Sequence, residues 1–376
     1  MAEKNNKEKS KQKKKRKIDF ILLFTVFVLI ALGLIMVYSA SWPESLLKNG
    51  ETDVFFKNQL KAMVIGLVFM WFGAIIDYRV WRRLRIPIFV LGVILNLLIF
   101  SPFGQEHMGA YRWVRLGGFE FMPSDALKLA SIVAVSGFLA NNKNEIGSFK
   151  RTAQLVAIIM IVVGLIILQS DLGTSAVIVA TLGVVAFIGG LRLPYAFLGV
   201  IGGAAFIFLA IYFEPYRFKR FMVFRNPFED RLGTGMQAVQ SLYALGSGGV
   251  TGLGLGKSVQ KYFYLSLCYN DFIFSILGEE LGLIGSLAYI TLLLIFVFRG
   301  FSIANNVKDP FGKYLATGIT FLIFSQSLLH VLVALSALPT KGITLPFISY
   351  GGTSLVVFMA MSGILLNISK HREEVD

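Results

Sequence analysis

The feature that most constrains this chain is a run of apolar residues from Ile18 to Ala40, followed by one apolar stretch after another of similar length. A stretch of ~20 apolar residues is what an α-helix needs to cross a bilayer, because a rise of about 1.5 Å per residue must cover roughly 30 Å of hydrocarbon. Spans are expected at 18–40, 56–76, 86–102, 125–140, 152–169, 172–190, 194–212, 271–298, 314–337 and 347–368. The expected fold is an all-α polytopic membrane protein with ten transmembrane helices. A water-soluble domain is excluded by arithmetic: 55% of the residues are hydrophobic and 15% charged, against roughly 45–50% and about 25% in soluble domains. The first run is longer than the ~7–15-residue core of a signal peptide and ends without a small-residue cleavage site, so it is expected to stay as a span.

Charge then sets the direction. Lys and Arg number 36 against 22 Asp and Glu, a net charge of +14. Residues 1–17 hold nine of the basic residues and two of the acidic ones, and read as a disordered cytoplasmic tail near anionic lipid. With that tail inside, the connections 77–85, 141–151, 189–194 and 298–313 and the C-terminal tail 371–376 fall on the same side. Each carries Lys or Arg, as cytoplasmic loops do. Both termini are therefore expected in the cytoplasm, with 18–370 a single transmembrane domain. The connection 213–269, between spans seven and eight, departs from this bias. It carries Arg217, Lys219, Arg220, Arg225, Arg231, Lys257 and Lys261 against three acids. A loop of that length crosses regardless of charge, and its basic excess on the outer face points to an anionic ligand. Its small and apolar residues suggest that it lies on the membrane or dips into it. Cys268 is the only cysteine, which excludes an intramolecular disulfide and any multi-cysteine metal site.

Several motifs carry chemistry. Gly252, Gly254, Gly256, Lys257 and Ser258 suggest a phosphate-binding P-loop, but that motif needs glycine where Thr251 stands. Nucleotide binding is rejected. The glycines either let backbone approach a ligand closely or provide loop flexibility. Asp271, ahead of span eight, is either a helix N-cap or a carboxylate able to take a proton from a substrate hydroxyl. Glu279 and Glu280 lie ~12 Å deeper and should face the protein interior, paired. Asp171 reads as a helix cap, and Asp125 with Lys128 as an ion pair one turn apart. Arg112 and Arg115, beside Trp113, are either solvated anchors of the outer loop or a pair that holds a phosphate. Lys341 sits in an irregular turn between Pro339 and Pro346. Gln326 and His330 read as hydrogen-bond partners between helices.

Taken in order, the blocks RWVRLGGFEFMPSDALKLA, LQSDLGTS, GMQAVQSLYALGSGGVTGLGLGKSVQKYFYL, DFIFSILGEELGLIG and LPTKGITLPFISYGGTSL resemble the SEDS family (shape, elongation, division and sporulation). These are the bacterial cell-wall polymerases that include FtsW, RodA and SpoVE. Gln237 and the TKG around Lys341 look nearer the FtsW/SpoVE branch. The resemblance implies a glycosyltransferase that polymerises lipid II, an undecaprenyl-diphosphate-linked disaccharide-pentapeptide, at the outer face of the cytoplasmic membrane. Asp271 matches the family's catalytic aspartate. Arg112, Arg217, Arg220, Lys257, Lys261 and Lys341 become candidates for holding diphosphate, with Asp125, Lys128, Asp171, Gln237, Gln240, Glu279 and Glu280 in support. No residue cluster fixes a metal, although a divalent cation such as Mg2+ would suit a diphosphate leaving group. The expected partners are lipid II, membrane lipid and a class B penicillin-binding protein acting as transpeptidase; nucleic acid is not among them. The chain departs from the family where Leu265–Asn270 replaces Leu-Pro-Glu-x-x-Thr, and at Asp125, Ser170 and His330. Two alternatives stay open: a flippase for lipid-linked precursor and a non-catalytic scaffold for cell-wall synthases.

Overall fold

The computed structural model describes residues 18–372, apart from 108–109, 118, 214–217, 219–223 and 232. A helix occupies each apolar stretch. They are α1 (Phe20–Asn49), α2 (Val54–Ile75), the short α3 (Tyr78–Arg83), α4 (Arg85–Leu97), α5 (Pro123–Asn141), α6 (Phe149–Leu168), α7 (Leu172–Ile188) and α8 (Leu193–Tyr212). After them come α9 (Met236–Gly248), α10 (Ile273–Asn306), α11 (Pro310–Ala334) and α12 (Gly352–Ser369). The chain is mostly helical, and α1, α2, α5, α6, α10, α11 and α12 are each long and apolar enough to cross a membrane. The centre of the bundle is made by α5, α11 and α12, which are buried over most of their length. Small residues let α2 and α12 touch: a methyl on Gly363 would lie 2.1 Å from Met70 O, so only glycine fits there.

The all-α expectation fails between α4 and α5. Residues there form a three-stranded antiparallel sheet of β1 (Gly104–His107), β2 (Ala110–Leu116) and β3 (Phe119–Phe121), in the order β1-β2-β3. The long connection also differs from a plain loop, because α9 packs across it onto α10, with Ser241 Oγ 2.6 Å from Ser275 Oγ.

Span eight is broken. Gly282 takes φ 67° and ψ −163° inside α10, a conformation that only glycine visits without strain. The break frees backbone groups on both sides, and the glycine-rich stretch after α9 satisfies them. Leu253 N and Gly254 N donate to Glu279 O and Glu280 O at 3.0 and 2.9 Å, while Leu283 N and Ile284 N donate to Gly249 O and Val250 O at 2.9 and 3.2 Å. A methyl on Gly252 would lie 2.2 Å from Glu280 O, and one on Gly282 would lie 2.3 Å from Gly252 N. At Gly252, then, the close approach is to another piece of this chain's backbone.

At the other end of α1, Asp19 caps the helix by accepting from Leu22 N at 3.0 Å. Its carboxylate also accepts from Arg299, at the far end of α10, and from Arg372 Nη1 at 2.7 Å, while Asp19 N donates to Ser369 Oγ at 3.1 Å. Arg372 is thereby folded against the bundle; of the tail expected at 371–376, residues 373–376 lie outside the described residues.

Candidate functional site

Asp271 stands two residues before the first residue of α10, with Phe272 at the cap position. The backbone leading to Asp271 is tightly turned: Asn270 N and Asp271 N both donate to Leu267 O at 3.0 Å, and Leu267 takes a left-handed φ of 54°. Ser349 Oγ donates to Asn270 O at 2.7 Å, and Tyr350 N to Tyr269 O at 3.0 Å, which fastens this turn to the connection between α11 and α12. On the α1 side, Tyr269 donates its hydroxyl to Glu44 at 3.2 Å, and Cys268 Sγ lies 3.4 Å from Ala40 O. The Leu265–Asn270 segment, which departs from the family pattern, is thus well anchored here.

The half-buried Asp271 carboxylate faces the Lys341–Gly342 turn: a methyl on Gly342 would meet Asp271 Oδ2 at 3.1 Å. Gln326 bridges helices as its position in span nine suggests, reaching Lys128 on α5, whereas His330 does not; both also hold that turn from below. His330 Nδ1 donates to Ile343 O at 2.7 Å, and Gln326 Nε2 donates to Thr344 O at 2.8 Å. Gln326 Oε1 in turn accepts from Lys128 Nζ at 3.0 Å, and Lys128 pairs with Asp125 at 2.8 Å with both side chains buried. The expected ion pair on α5 is present, and it supports the turn beside Asp271.

From the third side, the stem of Lys341 covers the first turn of α7, its Cδ 3.5 Å from where a methyl on Gly173 would sit. Asp171 caps that helix as expected, accepting from Thr174 N at 3.0 Å. Because side chains alternate along a strand, β2 turns Arg112 inward and leaves Arg115 exposed. Arg112 Nη2 donates to Ser170 O at 2.9 Å, and its Nη1 lies 3.9 Å from Asp171 Oδ2. Arg112, Asp171, Asp271 and Lys341, from four separate segments, gather in one region. The arrangement sets Arg112 against Asp171 and the Lys341–Gly342 turn against Asp271, a grouping of carboxylates and cations suited to moving a proton beside an anionic group.

Other candidates lie elsewhere. Lys261, expected to bind diphosphate, is fully buried: its Nζ donates to Glu280 at 2.9 Å, to Gly256 O at 2.7 Å and to Ser39 Oγ at 3.3 Å. It is part of the scaffold. Glu279 and Glu280 are buried and partnered, as expected of acids in a span. Lys257 is exposed at the end of the glycine stretch. Gln237 and Gln240 are half-buried on α9, and Arg217 and Arg220 lie outside the described residues. A cavity of about 330 Å³ opens between α1 and the glycine stretch, lined by Tyr38, Trp42 and Leu255 among others, but Asp271 is not in its wall. Among the described residues, no group of three or more His, Cys, Asp or Glu could hold a metal ion. The residues that reading the sequence missed are Ser39, Glu44, Thr344 and Ser349, uncharged or isolated groups that nothing in a single sequence sets apart.

Residues 20–374 match the FtsW/RodA/SpoVE family, described as cell cycle proteins. The chain belongs to that family. Among its relatives, stage V sporulation protein E of Bacillus subtilis (strain 168) is 40% identical over 94% of this chain and 97% of its own length. A probable peptidoglycan glycosyltransferase FtsW of Trichlorobacter lovleyi is 37% identical, over 93% of each chain. Solved structures agree on the fold of this SEDS protein. A chain from a peptidoglycan synthase complex, studied for the coordination of polymerization and crosslinking, superposes with a TM-score of 0.77 at 25% identity, over 94% of this chain and 97% of that one. A variant of the rod shape determining protein RodA of Thermus thermophilus gives 0.71 at 25% identity, over 95% and 99%.

Proposed function

We propose that this chain is a peptidoglycan glycosyltransferase that polymerises lipid II at the outer face of the cytoplasmic membrane, for division or sporulation septum synthesis. The observation that carries the proposal is Asp271: a half-buried carboxylate in the turn before α10, held against Gly342 beside Lys341. Asp271 takes the proton from the 4-hydroxyl of the acceptor sugar as that oxygen attacks the anomeric carbon of the donor from the opposite face. The bond from that carbon to the diphosphate oxygen breaks with inversion, and the lipid diphosphate departs with the electron pair. Negative charge grows on the leaving group, so cations fixed nearby supply much of the stabilisation. Lys341, next to Gly342, and Arg112, against the Asp171 cap, are the first candidates, with Lys257 and the long connection as further ones.

Ten helices in ten apolar stretches, with basic connections on one side, support a ten-span chain with both termini in the cytoplasm. The Asp271 end then faces outward. The likeness to a chain of a synthase complex supports pairing with a class B penicillin-binding protein, which would crosslink the new strands. The test uses purified protein in liposomes with labelled lipid II. Polymer is expected, and Asp271→Ala should lower its rate by about 10²–10⁴-fold while leaving the fold intact. Movement of lipid across the bilayer without polymer would make the chain a flippase, and neither activity would make it a scaffold.

A further inference from the structure

Lys261 and Glu280 stand on either side of Asp271, 19 residues apart in the chain, yet their side chains meet at 2.9 Å with no exposure to solvent. The contact closes a loop that has Asp271 near its middle. A second contact overlaps the first: Ser258 Oγ donates to Glu279 Oε2 at 2.5 Å, and Val259 N donates to Glu279 Oε1 at 2.9 Å. Ser39 pins both to α1, its Oγ within 2.7 Å of the two Glu280 oxygens and accepting from Lys261 Nζ at 3.3 Å. Trp42, one turn further along α1, places its ring 5.9 Å from the same Nζ.

The half-helix after Asp271 ends at the Gly282 break. A helix of under about 12 residues is marginal by itself, so its ends must be held by tertiary contacts. At its far end, that hold is the glycine stretch together with Glu279 and Glu280. We infer that the Lys261–Glu280 pair, with Ser39, is a clasp that positions Asp271 for the reaction. The two buried charges set the depth and direction of Asp271 without touching the substrate. This rests on the glycosyltransferase reading of the site.

The experiment compares full-length protein in liposomes with the double variant Lys261→Met/Glu280→Gln and with Ser39→Ala. The double variant removes the clasp without leaving a lone buried charge, so its thermal midpoint should stay near that of the native protein. Its kcat for lipid II should fall about tenfold with KM within about twofold, the split expected of a lost positioning role. Native kcat in the double variant overturns the inference. If the double variant does not fold, Ser39→Ala decides: about threefold lower kcat at an unchanged midpoint is expected, and native kcat overturns the inference.

A second readout needs no activity. Asp271→Cys is labelled with a water-soluble maleimide, with and without the clasp. The native Cys268 stays silent, because burial pushes its thiol up to about 12. Loss of the clasp should change the labelling rate at least about threefold, and an unchanged rate overturns the inference. If native protein makes no polymer, the glycosyltransferase reading fails while this arm still decides the clasp.

Discussion

Two clusters of buried charge sit toward opposite ends of α1, and they are built differently. At the start of the helix, Asp19 is fully buried, but its partners Arg299 and Arg372 stay about a quarter exposed, at 23% and 25%. Further along, Lys261 and Glu280 are both at 0%. The first cluster joins helix ends with regular backbone around it, and its arginines keep part of their hydration. The second sits where α10 is interrupted and where the chain on either side of Asp271 is irregular. Burying both ions fully is costly, and a pair of this kind is weak evidence of added stability by itself. The difference teaches that charge toward the Asp19 end holds chain ends together, whereas charge toward the Asp271 end holds a shape that regular secondary structure would not provide.

The largest effect expected is at the break that separates the two kinds of backbone. A methyl on Gly282 would lie 2.3 Å from Gly252 N and 2.5 Å from Val250 O, and the φ of 67° disfavours any side chain. Gly282→Ala should cost more than about 4 kcal/mol and leave little monodisperse protein after extraction. Native yield with a native thermal midpoint would show that α10 can run straight. Next comes Arg299→Met, which strips the buried Asp19 of one guanidinium at a cost of about 3–5 kcal/mol in thermal unfolding. The kcat of the protein that remains folded should not change. A kcat that fell with stability would mean that the two ends are coupled.

Acid separates the clusters more gently. Burial pushes the Asp19 carboxyl up, but the hydrogen bond from Arg299, the amide of Leu22 and the charges of Arg299 and Arg372 outweigh it, and the net direction is down. A depressed carboxyl contributes stability that is complete above the unfolded value of ~3.9 and is lost as pH falls through the lower folded value. The difference in thermal midpoint between native protein and Asp19→Asn should therefore be flat from about pH 8 to 5 and shrink below about pH 4. A gap that widened on acidification would have the wrong sign for this account.

The regular parts of the molecule were legible from pattern alone. Apolar length marks each helix, the spacing of Asp125 and Lys128 marks an ion pair, and Asp171 before Leu172 marks a cap. What stayed hidden depends on contacts distant in sequence. GEELGLIG reads as uninterrupted helix, because the amides that cap Glu279 and Glu280 come from the glycine stretch before it. Lys261 looks like one more cation of a basic loop until Glu280 is seen across from it. The sheet that turns Arg112 inward is too short to show a period. Asp19 sits unremarked inside the first apolar run, and its arginines lie far along the chain.

The smallest expected effect tests whether the turn before Asp271 stores strain for the reaction. Leu267 holds φ at 54°, a conformation that costs a branched, bulky residue about 1–3 kcal/mol and glycine almost nothing. Glycine also adds freedom to the unfolded chain, which offsets much of the relief. Leu267→Gly should therefore change the thermal midpoint by no more than the equivalent of about 1 kcal/mol. Leu267 O nevertheless accepts from both Asn270 N and Asp271 N, so a looser turn lets the carboxylate wander from Gly342. A fall in kcat of a few-fold at unchanged stability would mark the turn as part of the positioning apparatus, beside the clasp. Native kcat would confine positioning to the side-chain contacts and make the left-handed residue a local accident of the fold.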